Sequence, residues 1–128
     1  MKDTSYLFVY GTLRRDAGTE MSLFLGGSAR FVGSARTTGR LYQLGSFPGL
    51  ILSQDSRNFV IGEVHELGDP AVTWPVLDAY EGDEFERRIV PVRLDDGGKL
   101  DAWAYVYESD TSGKPRILSG DFLQPLNC

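Results

Sequence analysis

Two stretches of the sequence carry residue types that could do chemistry at a binding site. The first is Tyr10-Gly11-Thr12-Leu13, where a run of aromatic and β-branched residues stops at a glycine. Successive backbone N–H groups at such a strand end can form a concave nest that holds a carboxylate or a developing oxyanion. This stretch is therefore a candidate substrate-binding loop, and a plain β-turn is the alternative that uses the same residues.

The second stretch is acidic and covers residues 77–88, with carboxylates at positions 78, 81, 83, 84 and 86. Glu81 follows apolar positions of a predicted helix and precedes Gly82, so it lies where the helix stops and can point toward the core. Burial against aromatic rings and the charges of Asp78 and Asp83 would raise the pKa of this carboxyl. Glu81 is therefore a candidate general base near neutral pH, and a solvated acidic loop is the alternative.

The remaining residues exclude several other kinds of site. The one histidine, His65, and the one cysteine, Cys128, cannot build a multi-histidine zinc site or an internal disulfide. A Ser-His-Asp or Cys-His site would have to use His65 alone. Gly113-Lys114 is followed by a proline and lacks the first glycine of a phosphate-binding loop. We therefore expect a site without a metal or a cofactor.

Composition narrows the class of protein further. The chain has 128 residues, of which 41% are hydrophobic and 24% are charged, as in an ordinary globular domain. Its 13 basic and 18 acidic residues give a net charge of −5, which argues against a nucleic acid partner. No apolar run approaches the roughly 18 residues that cross a membrane, and the first residues lack the apolar core of a signal peptide. We expect a single cytoplasmic domain, residues 1–128, without a membrane partner.

Most of the elements that must position these residues are strands. Predicted strands cover residues 6–10, 31–44 with a bend or bulge, 58–67, 88–94 and 100–107, and predicted helices cover residues 20–25 and about 74–80. We expect the first helix to stop at Gly26-Gly27. We expect the second to have Thr73 as its cap and Pro75 in its first turn. Residues 95–99 form a hairpin turn. The pattern predicts a small barrel with packed helices, a core of residues 6–107 and an irregular tail of residues 109–128.

Seven short motifs follow one another through residues 6–107 in an order typical of one family. They are Val9–Arg14, Gly39–Tyr42, Phe47–Leu50, Gly62–Val64, Leu77–Gly82, Arg87–Val90 and Ala102–Tyr107. The first and fifth of these motifs are the most specific. By these motifs the chain resembles the gamma-glutamylcyclotransferase superfamily, in its AIG2-like or gamma-glutamylamine cyclotransferase-like branch. The resemblance implies an α+β fold, in which a mixed, barrel-like sheet of six or seven strands is flanked by short helices.

The resemblance also implies roles for individual residues. In such enzymes a Tyr-Gly-Ser/Thr-Leu loop binds a gamma-glutamyl substrate and a single glutamate is the general acid and base. This assigns substrate binding to Tyr10, Gly11, Thr12 and Leu13, and it assigns proton transfer to Glu81. The implied reaction releases 5-oxoproline and a free amine from a gamma-glutamyl amine or peptide, and it needs no cofactor.

Two departures from the family pattern and two alternatives accompany this interpretation. His65 replaces an aromatic residue that often follows Gly-Glu-Val, and Phe85-Glu86 precedes Arg87 where a tyrosine often does. Glu63, within a predicted strand, is an alternative base. A domain that binds a small molecule or peptide without turnover is the alternative function. The sequence does not identify the leaving amine of the reaction. The candidates are lysine, a diamine, a peptide, an amino-acid amide and a carrier-bound acyl group.

Overall fold

A computed structural model describes residues 5–11, 13–14, 19–44, 47–53, 55, 57–82 and 84–122 of the chain. These residues form six strands and two helices. They are β1 (Tyr6–Val9), α1 (Glu20–Ser28), β2 (Ala29–Gln43), β3 (Pro48–Leu52), β4 (Phe59–Leu67), α2 (Pro70–Glu81), β5 (Phe85–Leu94) and β6 (Lys99–Tyr107). Neither α1 nor α2, in this part of the chain, has the length and apolar character that a membrane-crossing helix needs.

Five of the strands close into a barrel. Strand β1 pairs with β4 and β6, β4 pairs with β2, β2 pairs with β5, and β5 pairs with β6. Hydrogen bonding therefore runs round a complete circuit, and β3 adds a sixth strand against β2 and β6. This architecture confirms the predicted α+β fold with a barrel-like sheet and short helices.

The long strand β2 reaches several partners because it is irregular. Its pairing with β4 shifts register between Phe31 and Gly33, which confirms the predicted bend or bulge. After the bulge, β2 continues to pair with β4 and also lies against β3 and β5. A bulge increases local twist, and this twist lets one strand contribute to both parts of the sheet.

Helix α2 begins earlier than the sequence predicted. The prediction placed it at about residues 74–80 with Thr73 as its cap, but α2 starts at Pro70 and its N-cap is Asp69. Thr73 lies inside the helix, where its hydroxyl donates to the backbone oxygen of Asp69 at 2.9 Å. The prediction was wrong because it gave the first turn to Pro75. Pro70 occupies that turn instead. The N–H groups of the first turn have no partner within the helix, so proline loses no helical hydrogen bond there.

Helix α1 ends later than the sequence predicted. Thr19 caps it by accepting a hydrogen bond from the Ser22 N–H at 3.0 Å, and the helix runs to Ser28. The expected stop at Gly26-Gly27 was wrong, since both glycines are part of the last helical turn. A glycine within a helix lowers helix stability by only about 1 kcal/mol relative to alanine, so packing can hold both glycines in the helical conformation.

The buried hydroxyl of Tyr10 connects three strands at one end of the barrel. Tyr10 directly follows β1, and its hydroxyl donates to the Tyr105 backbone oxygen in β6 at 2.5 Å. The same hydroxyl accepts a hydrogen bond from the Leu50 N–H in β3 at 3.1 Å. Burial raises the pKa of Tyr10 well above its usual value, so this hydroxyl stays neutral.

Substitution of Tyr10 by phenylalanine is expected to destabilise the fold. The change leaves the Leu50 N–H and the Tyr105 carbonyl without their partner in a dry interior, which should lower the free energy of unfolding by about 1 to 3 kcal/mol. Urea denaturation measures this difference. The matched control is Tyr42→Phe, because the Tyr42 hydroxyl makes no hydrogen bond to any described residue. Equal losses in the two variants would contradict the assignment.

Candidate active site

A cavity of about 210 Å³ opens at the Tyr10 end of the barrel. Its lining combines aromatic rings, small apolar side chains and one carboxylate. The lining residues are Phe8, Val9, Tyr10, Gly11, Leu13, Phe47, Pro48, Tyr80, Glu81, Phe85 and Tyr105. A concave, mostly apolar surface with few polar groups is typical of a small-molecule site. Among the described residues, no three histidine, cysteine or acidic side chains converge as a metal site would require.

The cavity brings together the residues that the sequence singled out from two distant segments. Tyr10, Gly11 and Leu13 form one side of the cavity, and Glu81 lies on its wall with them. Thr12 lies outside the described residues. The roles of these residues in binding and proton transfer stay predictions.

The end of α2 positions Glu81. Glu81 is the last helical residue, and Gly82 follows it with φ +87°, in the left-handed region that favours glycine. The Gly82 N–H donates to the backbone oxygen of Asp78 at 3.1 Å and so closes the helix. The chain therefore turns away immediately after Glu81, which leaves this side chain half-buried on the cavity wall.

Burial raises the pKa of Glu81 to about 7. Among the described residues, no ion pair or side-chain hydrogen bond involves this carboxyl, so nothing offsets the loss of water around its charged form. The sequence predicted that the negative charge of Asp78 would also raise the pKa of Glu81, and this was wrong. The charge of Asp78 is compensated by Arg87, whose Nε lies 3.1 Å from the Asp78 Oδ1. Asp83 lies outside the described residues.

Asp78 has a positioning role that the sequence interpretation missed. Its carboxylate accepts a hydrogen bond from the Tyr105 hydroxyl at 2.6 Å, which holds the Tyr105 ring on the cavity wall. Its partner Arg87 lies over the rings of Trp74 and Trp103, at 4.0 Å and 4.8 Å from their centroids. One indication of this role was present in the sequence. Asp78 precedes Glu81 by about one helical turn, so the two side chains lie on the same face of the helix.

Tyr10 contributes its ring to the cavity rather than a free hydroxyl. Both hydrogen bonds of that hydroxyl are already made to Leu50 and Tyr105. Burial of the charged form, and the nearby charge of Glu81, both raise the pKa of Tyr10. A ligand in the cavity therefore meets an uncharged aromatic face at this position.

Gly11 is required for close packing against Pro48. A Cβ atom at position 11 would lie 2.5 Å from the Pro48 Cγ, and Gly11 has no positive φ. The Arg14 N–H donates to the Gly11 oxygen at 3.0 Å and closes the turn. No backbone hydrogen bond within the described residues uses the N–H groups of Gly11 or Leu13.

Glu63, the alternative base, is not among the residues that line the cavity. It is only 4% exposed, and its carboxylate lies 2.8 Å from His65 Nε2 and 3.9 Å from Arg14 Nε. Arg14 also donates to Asp121 at 2.6 Å. These contacts give the buried charge of Glu63 partners inside the fold, which is typical of a structural ion pair.

The described residues form a small barrel, and Glu81 is the one carboxyl among those that line its largely apolar cavity. The family described as "Gamma-glutamyl cyclotransferase, AIG2-like" matches residues 7–124. The chain therefore belongs to the AIG2-like gamma-glutamyl cyclotransferase family.

Individual relatives agree with this assignment. The gamma-glutamylcyclotransferase family protein YtfP of Escherichia coli K12 is 31% identical over 120 residues, which are 91% of this chain and 95% of YtfP. A solved protein of Pyrococcus horikoshii has a TM-score of 0.68 and 28% identity over 93% of this chain and 90% of its own. An AIG2-like protein of Mus musculus has a TM-score of 0.71 at 22% identity, over 90% of this chain and 86% of its own, and so shares the fold.

The raised pKa of Glu81 predicts a stability difference between the wild type and Glu81→Gln. The native protein holds this proton up to a pH of about 7, whereas the unfolded chain releases it near the ordinary value of 4.5. The free energy of unfolding should therefore fall as pH rises through this window. At pH 8 the glutamine variant should be more stable by about 2 to 3 kcal/mol, because it carries no buried charge.

Denaturation with urea at low and high pH measures the difference. At a pH below the unfolded value, both side chains are neutral and the two proteins should unfold alike. Equal stability at both pH values would show that Glu81 ionises without a desolvation penalty.

Proposed function

We propose that this chain is a cyclotransferase that releases 5-oxoproline and a free amine from a gamma-glutamyl amine or peptide. One observation carries the proposal: Glu81, with a pKa raised to about 7 by burial, lies in one cavity with Tyr10, Gly11 and Leu13. Membership of the AIG2-like gamma-glutamyl cyclotransferase family supports the reaction class.

Glu81 has the properties of a general base for this reaction. The α-ammonium of a gamma-glutamyl substrate has a pKa of about 8 in simple compounds, so it is mostly protonated and not nucleophilic at neutral pH. A carboxylate with a pKa of about 7 is close to matched with it, and proton transfer between matched groups is efficient. Ionised Glu81 therefore removes the proton that blocks the attack.

The deprotonated α-amine then attacks the carbonyl carbon of its own side-chain amide. A C–N bond forms and closes the five-membered lactam, while the bond to the leaving amine breaks. Glu81 gives its proton to the departing nitrogen, and the proton that the ring nitrogen loses on lactam formation also goes to the amine, which leaves as an ammonium ion. Glu81 therefore ends as the carboxylate that it was at the start. The reaction needs neither a nucleophilic residue nor a metal, because both reacting groups belong to the substrate.

The segment that follows β1 supplies the binding contacts in this proposal. The N–H groups of Gly11 and Leu13 make no backbone hydrogen bond within the described residues, and they suit a substrate carboxylate or the oxyanion that develops on the attacked carbonyl. The surrounding rings exclude water. Holding both ends of one substrate in attack geometry can supply about 7 to 11 kcal/mol in ideal intramolecular cases.

The alternative function, binding without turnover, does not explain Glu81. A carboxylate without an ion-pair partner lowers the affinity of a cavity for an acidic ligand. Its burial also costs stability. A base that must be desolvated to work accounts for both costs.

The variant Glu81→Gln should lose activity while it keeps the fold. Glutamine preserves shape and hydrogen-bonding capacity but removes basicity, so kcat should fall by roughly 10² to 10⁴. The assay measures 5-oxoproline released from a panel of gamma-glutamyl amines, with and without a chelator. The chelator should change nothing.

The matched control is Glu84→Gln, which removes an exposed carboxylate three positions further along the chain. It should retain the wild-type rate. A folded Glu81→Gln protein with full activity would refute the mechanism. No release of 5-oxoproline from any substrate by the wild type would favour the binding domain.

A further inference from the structure

A second groove, of about 920 Å³, lies on the outside of the barrel between β2 and β5. These strands pair only at Ala35–Leu94 and Arg36–Arg93, and then they separate. Beyond that point the Thr37 hydroxyl donates to the Pro91 oxygen at 2.7 Å. Pro91 has no N–H and cannot continue a ladder of backbone hydrogen bonds. The described lining of this groove shares no residue with the candidate active-site cavity.

Three cationic residues form a row across the groove. Arg36 is directly opposite Arg93 in the pairing of β2 with β5, and Arg93 is directly opposite Lys99 in the pairing of β5 with β6. All three are exposed. Residues directly opposite each other share a face, so the row spans about 10 Å across three strands. Like charges in this arrangement repel one another, and the repulsion destabilises the sheet.

None of the three cations has an ion pair or a side-chain hydrogen bond within the part of the chain that the structure describes. Six of the other arginines do donate to a carboxylate or an amide oxygen. They are Arg14, Arg30, Arg57, Arg87, Arg88 and Arg116. Asp101 also lines the groove, so the described lining residues carry three positive charges and one negative charge. This local excess contrasts with the net charge of −5 for the whole chain.

An aromatic ring holds one end of the row in place. The Arg36 guanidinium carbon lies 4.7 Å from the centroid of the Phe59 ring. Stacking uses the flat face of a guanidinium and leaves its N–H groups free to donate in the plane. Arg36 is therefore partly ordered before any ligand arrives, which reduces the entropy lost on binding.

We propose that Arg36, Arg93 and Lys99 form a binding site for a soluble anion that contains two or more linked phosphate groups. The arginine fork matches phosphate oxygens in a bidentate way. A single phosphate is too short to reach all three side chains of the row, whereas a chain of linked phosphates follows it. Bound anion would also remove the repulsion between the cross-strand cations.

Calorimetric titration of the full chain at low salt tests the proposal, with sodium tripolyphosphate, inorganic phosphate and ATP as probes. Tripolyphosphate should bind the wild type, and the double variant R36Q/R93Q should bind it at least about tenfold more weakly. The control R30Q/R57Q changes the net charge by the same amount, but it removes arginines paired with Glu66 and Asp55. It should stay within about twofold of the wild type.

Thermal unfolding gives an independent readout. Tripolyphosphate should raise the melting temperature of the wild type and of R30Q/R57Q, but not that of R36Q/R93Q. Tighter binding of ATP than of tripolyphosphate would identify a nucleotide as the ligand, and equal binding would identify the phosphate chain alone. Equal weakening in both double variants, or inorganic phosphate binding as well as tripolyphosphate, would overturn the proposal. A single-stranded oligonucleotide that binds more tightly than tripolyphosphate would also overturn it.

Discussion

The hydroxyl of Tyr10 is the contact on which the candidate site depends. Strands β3 and β6 pair directly only at Leu50–Val106. Tyr10 adds two hydrogen bonds beside this bridge, to the Leu50 N–H and to the Tyr105 oxygen. It therefore fixes the end of β1 and two other strands around one buried oxygen. The rings of Tyr10 and Tyr105 thereby stay in the largely apolar cavity wall on which Glu81 is half-buried.

Two glutamates of this fold illustrate how burial can serve structure or chemistry. Glu63 has His65 and Arg14 beside its carboxylate, so its charge has partners within the barrel. Glu81 has no such partner among the described residues, and burial alone raises its pKa to about 7. The nearby Asp78 does not add to this effect because Arg87 compensates it. A charge without compensation is unfavourable for folding, but it is what a general base near neutral pH requires.

Local patterns in the sequence predicted most of this arrangement. Alternating apolar residues and glycine turns were enough for five of the six strands and for the final hairpin, but they did not predict β3 (Pro48–Leu52). The helix stop after Glu81 pointed to a carboxylate at the core. The start of α2 was missed because two prolines, Pro70 and Pro75, compete for the first turn. The contacts of Asp78 and the cationic row in β2, β5 and β6 were missed because both depend on strand register between distant segments, which local spacing does not reveal.

The central claim is that a desolvated Glu81 carries the proton during cyclisation. Its most direct test is the pH dependence of kcat/KM for a gamma-glutamyl amine, since this parameter reports ionisations of the free enzyme and the free substrate. Protonated Glu81 cannot accept a proton, so kcat/KM should fall as the pH is lowered through about 7, the pKa that burial gives this group. A profile that stays flat down to the ordinary glutamate value of about 4.3 would contradict the account.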